Sequence, residues 1–351
     1  MSDKPSGHAR RYWKLIPGLL ISAFFLWKTL HGFHLNELRE MHFGHPVWML
    51  WLLVFISCDY GVRGFRSWLM LRRYSPRYSA CFRVLLTSLS ANNILPFRIG
   101  DFMRIFAYAT DVNAPSSGVL GTVLLERLLD VVMLLGFLVA AVSGAGNGLA
   151  ALSFHGYGIL STAKIALLAS GICLALLLFG TRLLHLLVQK IVARFGSHPR
   201  TRKLGEWAEL LFEAVLHLSF PLRIFLLLLT TVVWLFEVLV FYAAARTLGL
   251  QSFHGAWLAG SLSNLSFLLP SAPGGIGPFE AASKLAMESQ GVATSYAILY
   301  ALFVHFVIFM IVNMVGGIGF LMRRKESGKS IGEELESLPT KMDVPETHTN
   351  S

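Results

Sequence analysis

Long apolar stretches separated by short polar connections dominate the chain. Six of them, at about 12–30, 46–64, 118–142, 159–181, 222–245 and 295–321, approach the roughly 20 apolar residues a helix needs to cross a bilayer. Two shorter stretches, about 84–97 and 256–270, break the pattern because they contain Ser and Asn and end in Leu-Pro. Their sequences are parallel. Ser88-Leu-Ser-Ala-Asn-Asn-Ile-Leu-Pro-Phe-Arg-Ile-Gly-Asp101 and Ser261-Leu-Ser-Asn-Leu-Ser-Phe-Leu-Leu-Pro-Ser-Ala-Pro-Gly-Gly-Ile-Gly-Pro-Phe-Glu280 both begin Ser-Leu-Ser, break at glycine and close on a carboxylate. Broken backbone at membrane depth must be buried in protein or line a watery cavity. The pattern therefore predicts an all-α polytopic membrane protein with six full spans and two re-entrant broken segments.

Charge gives this arrangement a direction. With the N-terminus in the cytoplasm, the cytoplasmic side collects 22 Lys and Arg by count, among them Arg63, Arg66, Arg72 and Arg73, against 5 on the other side. Such an excess is the positive-inside signature, so both termini are expected in the cytoplasm and the protein in the cytoplasmic (inner) membrane. The first apolar run, Leu15 to Trp27, is followed by Lys28-Thr-Leu-His-Gly-Phe rather than a small-residue cleavage site, and reads as an uncleaved anchor. If neither short segment spans fully, the first opens from the cytoplasm and the second from outside. Halves of about 12–142 and 159–322 are then inverted repeats, with a short cytoplasmic N-terminus at 1–11. Residues 205–218 place Glu206, Glu209, Glu213 and His217 on one helical face and Leu210, Leu211 and Leu218 on another, as an interfacial amphipathic helix does. From 323 to 351 the chain turns polar and is expected to be a disordered cytoplasmic tail.

Composition agrees, with 54% hydrophobic residues, 14% charged and a mean hydropathy of +0.60. The formal charge of +10 is accounted for by the sidedness and by attraction to anionic headgroups, so no nucleic-acid partner is expected. Cys58, Cys81 and Cys173 are isolated, without disulfide or zinc spacing. His31, His34, His42 and His45 form only a weak metal signal, and no metal or other cofactor is expected.

Candidate chemistry concentrates in three places. Arg98, Asp101 and Arg104 follow the first break at steps of three, which on one helix would make either a phosphate-binding face or a plain ion-pair ladder. Pro273, Gly274, Gly275 and Gly277 lead to a helix start at Pro278, where Glu280 either caps the helix or shares its positive end with an anion. Glu126, Arg127 and Asp130 fall near the middle of the third span, where charges are functional or paired. Asp130 is within i+3 reach of Arg127. Glu237 stands alone inside the fifth span.

These three segments, Asn92 to Asp101, Glu126 to Asp130 and Pro273 to Glu280, together resemble the lysylphosphatidylglycerol synthase transmembrane family, also called flippase-like. The resemblance covers roughly residues 12–322. It implies that Arg98, Gly100, Asp101, Arg104, Glu126, Arg127, Asp130, Pro273, Gly274, Gly275, Gly277 and Glu280 occupy the family's motif positions, with Asp101 where glutamate is common. It also implies movement of lipids such as aminoacylated phosphatidylglycerol or polyprenyl-phosphate-linked lipids. The soluble aminoacyl-transfer domain of fused relatives has no counterpart in the polar stretch after Met322, so transferase activity is not expected. The leading expectation is a carrier for a phosphate-bearing amphiphile, with membrane lipids as its partners. A lipid-modifying membrane transferase and a non-transporting partner of lipid-synthesis enzymes are the alternatives. No ATP-binding P-loop is present, so energy would come from an ion gradient or the lipid gradient.

Overall fold

The computed structural model describes residues 16–34, 36, 43–95, 98–144, 153–154, 157–195, 199–269 and 271–327. The expectations for the basic N-terminus, for the prolines Pro96 and Pro270 and for the tail from 328 fall outside these residues.

The described chain is built of helices, with one two-residue hairpin pairing Ser153–Phe154 with Tyr157–Gly158. The helices in order are α1 Ile16–Leu30, α2 Val47–Leu71, α3 Tyr78–Ile94, α4 Ile99–Phe102, α5 Ser116–Gly144, α6 Ile159–Phe179, α7 Thr181–Phe195, α8 Pro199–Leu216, α9 Phe220–Thr247, α10 Phe253–Ser266, α11 Pro278–Glu288 and α12 Thr294–Ser327. Among the described residues, four helical stretches, Val47–Tyr74, Leu160–Phe179, Phe220–Thr247 and Thr294–Arg323, are long and apolar enough to cross a membrane. The other two expected spans correspond to α1 and α5. For the first, the described residues hold the apolar stretch Pro17–Leu30, and its expected start at 12–15 lies outside them. Helix α5 has 29 residues but carries Glu126, Arg127 and Asp130.

Helix α12 continues to Ser327, so residues 323–327 are helical and not part of a disordered tail. At the start of this stretch the Arg323 guanidinium donates to Asp111 Oδ2 and to the Ala107 carbonyl, both at 2.8 Å.

Packing joins elements distant in sequence. Helix α2 lies along α9, α3 along α12, and α10 against both α5 and α11. The largest buried cluster combines Leu52 and Ile56 of α2 with Phe241 and Ala244 of α9, Ala256 and Ala259 of α10, and Tyr300 and Val304 of α12. Small residues at the contact allow close approach, which is how membrane helices gain dispersion energy without a hydrophobic drive. The outer faces stay apolar and exposed, as at Leu20, Trp27, Leu168, Phe306 and Met314. Helix α8 turns Leu210, Phe212 and Val215 into the core while Glu209, Glu213 and His217 face outward. That is the two-faced helix read from the sequence, seated on α5 and α7.

Both short segments are broken helices. Helix α3 ends at Ile94 with Leu95 extended, and the chain resumes at Arg98 as α4 and a π-helical turn, Met103–Ala107. Helix α10 ends at Ser266; a 3-10 turn at Pro273–Gly275 then leads into α11. Since α10 and α11 pack on each other, this second segment is a helical hairpin whose tip is the glycine turn.

Candidate functional site

The two breaks meet. Arg98 Nη2 donates to the carbonyl of Phe267, at the end of α10, at 2.9 Å. The turn containing Gly274 packs against α3, where a Cβ on Gly274 would come within 3.3 Å of the Asn93 carbonyl. Around this junction lies a cavity of about 750 Å³. Its polar wall includes Arg63, Asn92, Arg98, Asp101, Arg127, Glu237, Asn264 and His305, and its apolar wall Leu19, Leu95, Phe267, Leu268, Ile308 and Phe309. The rim continues into exposed Ile94, Leu268 and Leu269.

Backbone constraints hold the tips. Gly100 is buried, and a Cβ there would overlap the Ser88 carbonyl oxygen, so α4 can fold back on α3 only through glycine. Asn92 fastens the turn from both ends, its Oδ1 accepting from the Asp101 amide at 3.2 Å and its Nδ2 donating to Asp101 Oδ1 at 3.1 Å. Arg98 itself sits at φ 52°, a left-handed conformation that costs a non-glycine residue about 1–2 kcal/mol. In the second tip, Gly274, Gly275 and Gly277 have φ of 72°, 75° and 97°. The Gly277 amide donates to Glu280 Oε2 at 2.7 Å, so Glu280 caps α11 and its carboxylate occupies the helix's positive end.

Charges at the site fall into two populations. Buried away from the cavity, Arg104 makes two bonds to Glu126, at 2.7 and 2.9 Å, and a third to Ser67 Oγ at 2.6 Å. Likewise Arg66 holds both oxygens of Asp130, at 2.7 and 3.1 Å, and bonds Thr230 at 3.0 Å. These forks are planar bidentate pairs, the geometry that offsets desolvation best. Facing the cavity, the charges are more loosely held. Arg127 reaches Asp101 at only 3.4 Å, with its side chain 40% exposed. Arg63 bridges Asp59 at 2.8 Å and Glu237 at 3.2 Å, and Glu237 also accepts from Asn264 at 3.0 Å. Among the described residues, Arg98 is bonded through its side chain to the Phe267 carbonyl and to no carboxylate.

Of the residues singled out from the sequence, Arg98, Asp101, Arg127, Pro273, Gly274 and Gly275 line the cavity. Gly100, Arg104, Glu126, Asp130, Gly277 and Glu280 support it from outside the lining. Two expected pairings are corrected. Arg98, Asp101 and Arg104 do not form a ladder, because the π-helical turn at Met103–Ala107 shifts the register by a residue and turns Arg104 inward to Glu126. Arg127 does not pair with Asp130, whose oxygens are taken by Arg66. Arg63 and Arg66, assigned to a cytoplasmic loop from the charge count, lie within α2 and are neutralised by Asp59, Glu237 and Asp130. Glu237 is therefore not alone. His305 went unnoticed in the sequence, although a histidine inside an apolar run was the available signal.

No curated protein and no solved structure matches the chain. The family model for the lysylphosphatidylglycerol synthase TM region matches residues 15–316, which takes in both broken segments, the buried ion pairs and the cavity. The chain thus belongs to the lysylphosphatidylglycerol synthase transmembrane-region family, a membership that points to a role connected with membrane lipids.

Proposed function

We propose that this protein is a carrier that moves a phosphate-bearing amphiphile across the membrane, without group-transfer chemistry of its own. The observation that carries this reading is the junction of the two broken segments around one cavity, into which the Arg98 guanidinium projects without a carboxylate partner. Arginine's planar fork suits a phosphate, and Arg127, weakly held by Asp101, supplies a second fork. In the same lining, Leu95, Leu268, Ile308 and Phe309 suit acyl or prenyl chains. The paired carboxylates Glu126 and Asp130 are committed to arginines away from the lining, which favours a scaffolding role over acid–base catalysis.

The packing pattern supports inverted halves. Span two (α2) meets span five (α9), the first broken segment (α3) meets span six (α12), and the second (α10) meets span three (α5). Each contact maps onto itself or its mate when the halves are exchanged, as a pseudo-two-fold axis requires. In this reading the segments re-enter from opposite faces, both termini are cytoplasmic, and the tips touch at mid-membrane as two gates.

The test is a headgroup-exposure assay in proteoliposomes carrying fluorescent phospholipid. A hydrogen bond to a charged group contributes about 1.5–3 kcal/mol, so Arg98→Ala is expected to slow protein-dependent flipping about tenfold or more. Equal flipping with and without protein would overturn the carrier reading, and full activity in both Arg98→Ala and Arg127→Ala would displace the phosphate from this site.

A further inference from the structure

Glu280 and His305 share a bonding arrangement that capping does not require. His305 Nδ1 lies 2.6 Å from Glu280 Oε1, and His305 Nε2 lies 3.0 Å from the Gly274 carbonyl oxygen. Both partners are acceptors, while the other Glu280 oxygen already receives the Gly277 amide. A neutral imidazole carries one N–H and can satisfy only one of the two contacts. Both are satisfied when the pair holds one further proton, either as imidazolium with carboxylate or as Nε2–H imidazole with carboxylic acid. The two descriptions contain the same atoms and have zero net charge. Glu280 and His305 are 4% and 7% exposed, and the imidazole is stacked on Phe279 at a centroid distance of 4.2 Å. In such a setting an uncompensated charge is expensive.

We propose that Glu280 and His305 form a proton-binding site whose occupancy latches the Gly274 tip to α12, making the proton the coupling ion of the carrier. This deepens, and rests on, the carrier reading. Release of one proton from the loaded pair to the cavity leaves a carboxylate and a neutral imidazole with net charge −1. If the remaining N–H serves Glu280, a bare Nε2 lone pair faces the Gly274 carbonyl and repels it. That turn is the tip that packs against α3, and His305 itself lines the cavity. Proton release therefore frees the same turn that separates the cavity from the outer side in the inverted-repeat arrangement.

Other charges bear on this pair from the surrounding elements. Arg63 and Tyr60 of α2, Arg98 and Asp101 beside α3 and α4, Arg127 of α5 and Glu237 of α9 face the same cavity. On α11 itself, Lys284 is bonded to the Thr29 carbonyl of α1 at 3.3 Å and lies 3.8 Å from Glu288. The stretch of α1 that lines the cavity, Pro17, Gly18 and Leu19, and helix α10, apart from His254 near its start, bring no ionisable side chain.

The experiment pairs transport with a direct view of the proton. In proteoliposomes, an imposed pH gradient is expected to change the wild-type flip rate at least about fivefold, the lower end of usual coupling factors. The ratio of rates with and without the gradient should fall to one in both Glu280→Gln and His305→Gln. Glu280→Gln keeps an amide oxygen for the Gly277 N–H, and thermal melting checks that it folds. Independently, ¹⁵N spectra of the full-length chain in nanodiscs, with His305 assigned by subtraction of His305→Gln, should show both ring nitrogens protonated or strongly hydrogen-bonded. One proton should then be lost as pH rises, a step absent in Glu280→Gln. A wild-type rate insensitive to the gradient, or gradient sensitivity retained by both variants, overturns the coupling. Absence of any flipping refutes the carrier reading alone, and the spectra then judge the site: His305 ring-nitrogen shifts that do not change with pH overturn it.

Discussion

Arg104 shows what one side chain contributes to this fold. It is 2% exposed and spends three hydrogen bonds on Glu126 and Ser67. Removing one member of a buried pair leaves an uncompensated charge and costs about 3–5 kcal/mol, whereas replacing both with apolar residues of similar volume is close to neutral. Arg104→Met is therefore expected to lower the melting temperature of the purified protein sharply, and Arg104→Met combined with Glu126→Leu to recover most of the loss. A double variant as unstable as the single would assign the cost to packing instead. The same pair marks the limit of reading charges along a sequence. Glu126, Arg127 and Asp130 are visible as misplaced charges in an apolar run, but local spacing offers Arg127 as the partner of Asp130. The actual partners, Arg66 and Arg104, lie 64 and 22 residues away in sequence, set by helix packing that spacing cannot encode. His305 is hidden for a related reason, since an isolated histidine means little until Glu280 and Gly274 are found against it.

Among the elements, the broken segments were the most legible, because proline and glycine act locally through φ and the missing amide. The π-helical turn after α4 was not, since one extra residue in a turn depends on where Arg104 finds its carboxylate. The glycines of the second tip permit a sharp comparison. Gly277 has φ 97° and a Cβ there would overlap the Ser22 carbonyl of α1, whereas Gly291 has φ 81° with open space around it. Gly291→Ala is expected to cost only the left-handed backbone penalty of about 1–2 kcal/mol. Gly277→Ala adds displacement of α1 from α11 and should lower the melting temperature clearly further, a difference read by parallel thermal melts in one detergent. Equal shifts would mean that α1 is free to lift away from the hairpin, and that the Ser22 Oγ bond to the Ala272 amide at 2.7 Å does not hold it in place.

For the whole molecule, the expectation of alternating access turns on the contacts that cross between halves. In the proposed inverted-repeat reading, helix α3 belongs to the first half and α12 to the second. They are tied by Ser90 Oγ donating to Asn313 Oδ1 at 2.9 Å and by Thr87 donating to the Gly316 carbonyl at 3.3 Å. A rocking motion of one half against the other must shear this interface or carry α3 along with α12 while another interface yields. Joining Ser90→Cys to Asn313→Cys with a short bis-methanethiosulfonate, which links each thiol through a reducible disulfide, in a background with Cys58, Cys81 and Cys173 replaced, distinguishes the two. If the halves shear here, cross-linking should stop flipping and reduction should restore it. A cross-linked protein that still flips at the reduced rate would move the hinge elsewhere, to the α2–α9 contact or to the hairpin tip alone. The hairpin alternative has a distinct signature, because only the Gly274 turn and His305 would then change environment. Unimpeded flipping in the cross-linked protein, together with gradient sensitivity lost in His305→Gln, would describe a carrier gated by one tip against a fixed scaffold. Blocked flipping with that sensitivity intact would describe rocking halves in which the proton site plays no part.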